Sequence, residues 1–225
     1  MLSVLERVKD LYQVYPALNI VSDFLSVAPK KVPQIFLQRS DLVRSIIKHT
    51  SSPVLHVPAY NFKTRNVVFK IYQSFLLNRD TILSQLDNPS TYISAVLGGI
   101  DEEKDPRNLI ITYDLLYFML REYASTMDDK ASIGLIKPFI DEIFDKISCY
   151  FPINFVPPKN DKYQITPDIL KDKLARCFLA SPLLASSAIP FIIDKFKATQ
   201  IETKKECLVL LQQMFGPEGY TKSGE

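Results

Sequence analysis

Apolar residues recur at intervals of three and four positions along most of this chain. Between Pro106 and Tyr123 the spacing places one apolar set on a single face, comprising Leu109, Ile110, Tyr113, Leu116, Tyr117 and Leu120. The polar residues Asp114 and Arg121 lie off that stripe. Because a helix repeats about every 3.6 residues and a strand every two, the pattern predicts an amphipathic helix that begins near Pro106.

The same pattern predicts a succession of helices separated by turns, most of which contain proline. Start signals support several of them: Thr166 precedes Pro167 and Asp168, and Ser181 precedes Pro182. A hydroxyl side chain before a first-turn proline is typical of a helix N-terminus. The helices are expected at about residues 2–14, 17–27, 34–49, 58–78, 90–100, 107–123, 133–148, 166–180, 183–197 and 200–214.

Taken in pairs, these helices repeat about every 40–50 residues, which is the range of HEAT and armadillo units. Stacked pairs bury their apolar faces in one continuous core. We therefore predict an all-α, HEAT/armadillo-like α-solenoid of about five helix pairs over residues 1–214, as a piece of a longer solenoid. A globular helical bundle of the same elements is the alternative. Residues 215–225 lose the pattern and are predicted to form a polar, disordered tail.

One connection, from residue 149 to residue 165, is long and rich in aromatic residues and proline. Its sequence is CYFPINFVPPKNDKYQI, and its prolines disfavour a helix. A long apolar loop of this kind packs back on the body or meets a partner. The candidate loop-packing or partner-contact residues are Tyr150, Phe151, Phe155 and, in the charged second half, Lys159.

An acidic run precedes the helix that begins near Pro106. Asp101, Glu102 and Asp105 are candidate contacts for a basic partner or a metal, whereas a solvated turn is the simpler interpretation. Arg107, a further candidate contact, is expected to pair with Asp101 or Asp105.

Charge and motifs exclude several classes of function. The 27 basic and 25 acidic residues are well mixed and give a net charge of +2, which indicates neither a nucleic-acid groove nor a membrane anchor. The sequence contains no run of about 18 apolar residues, so no transmembrane helix is predicted. A phosphate-binding loop, a dinucleotide fingerprint, a nucleophile elbow and an HExxH zinc pattern are all absent from the sequence. We therefore expect that this protein is not an enzyme and has neither catalytic residues nor a cofactor.

Histidine and cysteine give no convincing metal site. His49 and His56 lie on either side of a Ser-Ser-Pro turn without evident partner ligands, so exposed turn residues are expected. Cys149, Cys177 and Cys207 are widely spaced, which indicates a reducing, intracellular environment. Cys177 and Cys207 fall within helical apolar patterns, so we expect core residues and not iron–sulfur ligands.

Two segments carry a resemblance to a known family. The first is DEEKDPRN, residues 101–108, and the second is SCYFPINFVPPKNDKY, residues 148–163. In this order and about forty residues apart, they resemble the N-terminal region of the MMS nineteen (MMS19) family of large HEAT-repeat proteins. The resemblance extends from about Asn61 to Phe196. The resemblance implies a protein several times longer than the 225 residues of this chain.

The resemblance implies a function that the residues alone do not. It implies a non-catalytic scaffold of the cytosolic iron–sulfur assembly (CIA) targeting complex, found in nucleus and cytoplasm. The implied partners are late assembly factors and client apoproteins such as DNA helicases, polymerases and the helicase subunit of TFIIH, with no direct contact to nucleic acid or membrane. The alternative is a HEAT-type adaptor in transcription or nuclear transport with no link to iron–sulfur proteins.

Overall fold

The computed structural model describes residues 11–27, 40–50, 57–124, 130–159, 162–198, 200–216 and 219–220. Every regular element within these residues is helical. The chain divides into two compact units, Met1–Leu115 and Leu116–Glu225, and the boundary falls inside a long helix. The predicted all-α, HEAT-like class is therefore confirmed.

The first unit is built from packed helices of unequal length. They are α1 (Leu11–Val27), α2 (Ser40–Thr50), a 3-10 turn (Val57–Ala59), α3 (Phe62–Leu76), α4 (Arg79–Leu83), α5 (Ser90–Gly99) and the first part of α6 (Pro106–Ala124). Helix α1 packs on α3, and α5 packs on both α2 and α3. These contacts bury the apolar face of each helix, whose residues recur at intervals of three and four positions.

Close packing of α5 on α3 depends on a small residue. The Tyr92 hydroxyl of α5 donates a 2.6 Å hydrogen bond to the Tyr72 carbonyl of α3, and both side chains are buried. A Cβ atom at Gly99 would lie 2.9 Å from Cε2 of the Tyr72 ring. Glycine therefore allows the two helices to approach at this point.

The second unit continues the helical pattern. Its elements are the rest of α6, α7 (Lys130–Ile136), a 3-10 turn (Lys137–Phe139), α8 (Ile140–Ser148), α9 (Pro167–Phe178), a 3-10 turn (Pro182–Leu184), α10 (Ala185–Phe196) and α11 (Ile201–Met214). Helix α8 packs against α9 and α10, and α10 packs against α11. The aromatic rings of Phe144, Phe178 and Phe191 pack against one another between these helices, and Phe178 is fully buried.

The predicted helix starts near residues 166 and 181 are confirmed. The Thr166 hydroxyl accepts a 3.3 Å hydrogen bond from the Ile169 N–H at the start of α9. The Ser181 hydroxyl accepts one of 3.2 Å from the Leu183 N–H. Each hydroxyl satisfies a backbone donor that the first helical turn leaves unpaired.

Three predicted boundaries are wrong. Pro16 does not separate two helices but lies inside α1, where it is exposed while the side chains that follow it are buried. Burial of that face offsets the one backbone bond that proline removes. The helix expected at 58–78 begins only at Phe62, because Asn61 caps it, and the helix expected at 133–148 is interrupted at Pro138.

Parts of other predictions lie outside the described residues. These are the beginning of the helix at 2–14, the beginning of the one at 34–49, and much of the tail at 215–225. Within the tail, the Tyr220 hydroxyl donates a hydrogen bond to the Phe178 carbonyl, and burial raises the pKa of Tyr220.

Among the described helices, none is long and apolar enough by itself to cross a membrane. Only two successive segments taken together, Pro167–Phe178 and Pro182–Phe196, reach that length and composition, and they are bent by 87°.

Candidate protein-binding surfaces

The turn before α6, residues 101–107, is organised around a buried carboxylate. Glu103 is only 2% exposed, and its two oxygens face the Arg65 guanidinium of α3. Arg65 Nε lies 2.7 Å from Glu103 Oε2, and Nη2 lies 2.8 Å from Oε1. Arg65 also donates to the Tyr60 carbonyl. The guanidinium thus ties α3 to the turn that leads into α6.

The remaining capacity of Glu103 to accept hydrogen bonds is used by nearby groups. The backbone N–H groups of Lys104 and Asp105 donate to Oε1 at 3.0 and 2.9 Å. The Asn108 side chain donates to Oε2 at 3.0 Å, and its oxygen accepts from Asn66 at 2.9 Å. A buried charge of this kind is tolerated only when it is paired and fully hydrogen-bonded.

These partners decide the protonation state of Glu103. Burial alone raises the pKa of the Glu103 carboxyl, but hydrogen bonds from Arg65, the Asp105 N–H and Asn108 hold that pKa below its usual value. The carboxylate is therefore charged at neutral pH. The same contact raises the pKa of the Arg65 guanidinium.

Asp105 and Arg107 form the ion pair expected from the sequence. Arg107 Nε lies 2.7 Å from Asp105 Oδ1, and the Arg107 N–H donates to the same oxygen at 3.0 Å. The Arg107 guanidinium also lies over the Phe62 ring, 3.5 Å from its centroid. Chiefly through its bond to Arg107, the pKa of Asp105 is lowered. Asp105 thus serves as an anionic group at the N-terminus of α6.

The acidic run is consequently not a uniformly solvated turn. Glu103, which that interpretation placed in solvent, is buried because Arg65 and Asn108 compensate its charge. Asp101 is half-buried, and Glu102 is exposed with a φ of 52°, in the left-handed region. Of the candidate residues in this run, Asp105 and Arg107 meet each other, whereas Glu102 faces solvent. A contact with a basic partner stays a prediction.

The loop after α8 begins by packing back on its own unit. The half-buried Phe151 ring lies edge-on to the rings of Phe178 and Phe191, with centroids 6.0 and 6.1 Å away. Tyr150 and Phe155 are also half-buried. Farther along, Val156 is 88% exposed and Lys159 is exposed. The start of the loop therefore contributes to packing, and the segment from Val156 to Lys159 is open to solvent.

A partly open cavity of about 290 Å³ lies where this loop meets α9 and α11. Its apolar lining includes Phe151 and Ile153 from the loop, Leu174 and Phe178 from α9, and Val209 and Leu210 from α11. We call it the α9–α11 pocket. Of these lining residues, only Phe151 is among the candidates predicted from the sequence, because an amphipathic pattern does not show which part of a helix face remains uncovered.

Two of the cysteines are core residues, as predicted, and the histidine prediction is wrong in part. Cys177 and Cys207 are buried within α9 and α11, and Cys149 is exposed. His49 lies in the last turn of α2 and is half-buried, so it is not a turn residue, and His56 lies outside the described residues. Across the described ranges, no three His, Cys, Asp or Glu side chains are grouped so that they could hold a metal ion.

Comparison with known proteins gives a consistent result. A family model described as Dos2-interacting transcription regulator of RNA-Pol-II matches residues 3–223. A Dictyostelium discoideum protein named MMS19 nucleotide excision repair protein homolog is 46% identical over 120 residues, which cover 53% of this chain and 10% of that protein. The Mus musculus protein of the same name is 30% identical over 206 residues, covering 91% of this chain and 18% of that protein.

A more distant relative agrees with these. A Saccharomyces cerevisiae protein named for DNA repair and transcription is 27% identical over 195 residues, which cover 87% of this chain and 18% of that protein. The chain thus spans between about a tenth and a fifth of the length of these relatives.

Proposed function

The chain belongs to the MMS19 family, and from that membership we propose that it is a non-catalytic scaffold of the cytosolic iron–sulfur assembly targeting complex. In this role it helps deliver iron–sulfur clusters to apoproteins of DNA replication, repair and transcription. Its relatives carry names that refer to nucleotide excision repair, DNA repair and transcription. The link to iron–sulfur assembly rests on the resemblance of the segments at 101–108 and 148–163 to the family.

The observation that carries a scaffold role is the kind of surface that the helices present. Large apolar side chains on α10 and α11 are exposed, among them Ile193 at 49%, Leu208 at 54% and Ile201 at 68%. The most strongly organised charged groups, Arg65 with Glu103 and Arg107 with Asp105, are engaged with each other. Exposed apolar side chains on paired helices suit contact with other proteins.

The proposed partners are late assembly factors and client apoproteins, including DNA helicases, polymerases and the helicase subunit of TFIIH. The proposed location is the nucleus and the cytoplasm. Affinity capture from cell extract on the purified, folded chain tests the partners, with an unrelated HEAT-repeat protein of similar size as control bait. We expect assembly factors or iron–sulfur clients to be enriched over the control. Their absence from a well-folded bait would count against the proposal.

A second function, an adaptor in transcription, is favoured by one observation. The family model is described as a transcription regulator of RNA polymerase II. The same capture experiment separates the two functions. Enrichment of polymerase subunits without any iron–sulfur protein would favour the transcription adaptor.

A further inference from the structure

The α9–α11 pocket combines apolar walls with an open mouth. Phe178 and Leu210 are buried at its base, whereas Val209 is 54% exposed at its edge. A volume of about 290 Å³ lies at the lower end of cavities that hold small molecules, and it suits one or two amino-acid side chains. The pocket is therefore large enough for the apolar side chains of a short peptide segment.

The charged groups around the mouth are unequally compensated. Lys171 Nζ lies 2.5 Å from Glu206 Oε1, so these two groups neutralise each other across α9 and α11. Lys205 pairs with Glu202 at 2.9 Å along α11. Asp172 also lines the pocket and is exposed, and it has no ion pair with any residue that the structure describes. The mouth therefore carries one carboxylate that a ligand can compensate.

We infer that the α9–α11 pocket is a docking site for a peptide segment of a partner protein with one or two apolar side chains beside a lysine or arginine. The apolar side chains fill the space between Phe151, Leu174 and Val209, and the cation pairs with Asp172. Burial of apolar area supplies most of the affinity, and the ion pair selects for charge. The inference rests on the proposed protein-binding function and names a surface for it.

Two neighbouring residues of α11 provide a matched pair of variants. Val209 and Leu208 are both 54% exposed, but only Val209 lines the pocket. Val209→Gln places an amide against the apolar wall, whereas Leu208→Gln makes the same kind of change on the surface beside it. Both variants are expected to fold, since neither side chain is buried.

The probe is a fluorescein-labelled peptide, acetyl-Gly-Lys-Leu-Phe-Lys-Gly-amide, measured by fluorescence anisotropy. Two control peptides replace the lysines with glutamate or the Leu-Phe pair with serines. We expect Val209→Gln to weaken binding of the probe about ten-fold, because a buried amide without a partner is costly. Leu208→Gln should leave the affinity unchanged. Asp172→Asn should weaken binding about two- to five-fold and remove the preference for lysine over glutamate.

Three results would overturn the inference. They are no binding of the probe at concentrations up to about 2 mM, equal effects of Val209→Gln and Leu208→Gln, and equal affinity for the lysine and glutamate peptides. Affinity capture on the same protein preparation separates this failure from failure of the proposed function. If assembly factors are captured but the peptide does not bind the pocket, the inference is wrong and the scaffold function stands. If neither binds, both are wrong.

Discussion

The Arg65 guanidinium holds the buried Glu103 carboxylate through two hydrogen bonds, Nε to Oε2 at 2.7 Å and Nη2 to Oε1 at 2.8 Å. The two residues are 38 positions apart, so the pair fixes α3 against the turn that leads into α6. The Glu103 side chain is 1% exposed and that of Arg65 is 18% exposed. Water therefore screens the pair little, and each charge depends on the other.

We predict that Glu103→Gln strongly destabilises the protein. The change keeps the shape of the side chain but leaves the Arg65 cation without its counter-charge. Removing one member of a buried pair costs about 3 kcal/mol or more of unfolding free energy. Urea unfolding followed by circular dichroism measures the loss.

Glu102→Gln is the matched control for that change. Glu102 is the neighbouring residue of the same type, and it is exposed. Its substitution should alter the unfolding free energy by less than about 0.5 kcal/mol. Equal losses in the two variants would show that the Arg65–Glu103 pair has no special role in stability.

The pKa shifts of two carboxyl groups in the turn before α6 predict how the stability of the protein changes with pH. The pKa values of Glu103 and Asp105 are lowered in the folded protein, so the unfolded chain takes up protons at a higher pH than the folded chain does. The stabilisation that Glu103 and Asp105 provide is complete above the pKa values of the unfolded chain, about 4.3 for Glu and 3.9 for Asp. It is lost as the pH falls through their lower pKa values in the folded protein.

Unfolding midpoints at a series of pH values below neutrality test this linkage. Stability of the wild type should fall as the pH is lowered through the acidic range. The fall should be shallower for the double variant Glu103→Gln with Asp105→Asn, because two of the linked groups no longer titrate. If the unfolding midpoint falls equally steeply with pH in both proteins, Glu103 and Asp105 do not cause the loss of stability in acid.

Two adjacent glycines near the end of α5 should respond in opposite ways to alanine. A Cβ at Gly99 would lie 2.9 Å from the Tyr72 ring, whereas a Cβ at Gly98 meets no atom within 4 Å. Gly98→Ala should stabilise the protein by about 0.5–1 kcal/mol, because alanine loses less backbone entropy on folding. Gly99→Ala should destabilise it by about 1–3 kcal/mol through overpacking. Thermal unfolding of both variants measures the difference, and a shift of the same sign in both would refute it.

Phe151 and Val156 provide a test of the aromatic–proline loop. Phe151 is half-buried between aromatic rings, so Phe151→Ala should cost about 2 kcal/mol, roughly half the loss at a fully buried phenylalanine. Val156 is 88% exposed, and Val156→Ala should leave the unfolding midpoint unchanged. A wild-type midpoint for Phe151→Ala would mean that the ring does not stabilise the unit.

Local signals predicted much of the fold. The start of α6 at Pro106 and the caps at Thr166 and Ser181 depend on residues within a few positions, which the sequence displays directly. The ion pair of Asp105 with Arg107 is likewise one of the two that the sequence predicts for Arg107, the other being with Asp101. Such features follow from capping chemistry and short-range charge, with little influence from the rest of the chain.

Features set by tertiary contact were not predictable from sequence. Pro16 suggested a helix end, but the buried face of α1 carries the helix through it. Glu103 looked like one more solvated acid because nothing near it marks Arg65 as its partner. The α9–α11 pocket also requires knowledge of which helix faces meet and which remain open. In each case a distant packing partner decides the outcome.

The proposed scaffold function requires that this chain bind iron–sulfur client or assembly proteins. Analytical ultracentrifugation of the purified chain measures that binding, first with a purified iron–sulfur DNA helicase in its apo form and then with purified assembly factors. We expect a faster-sedimenting complex that forms at concentrations of about 10 µM or below. A helicase of similar size that lacks a cluster should form no complex. If the folded chain sediments separately from the apo-helicase and from the assembly factors, the proposed function is wrong.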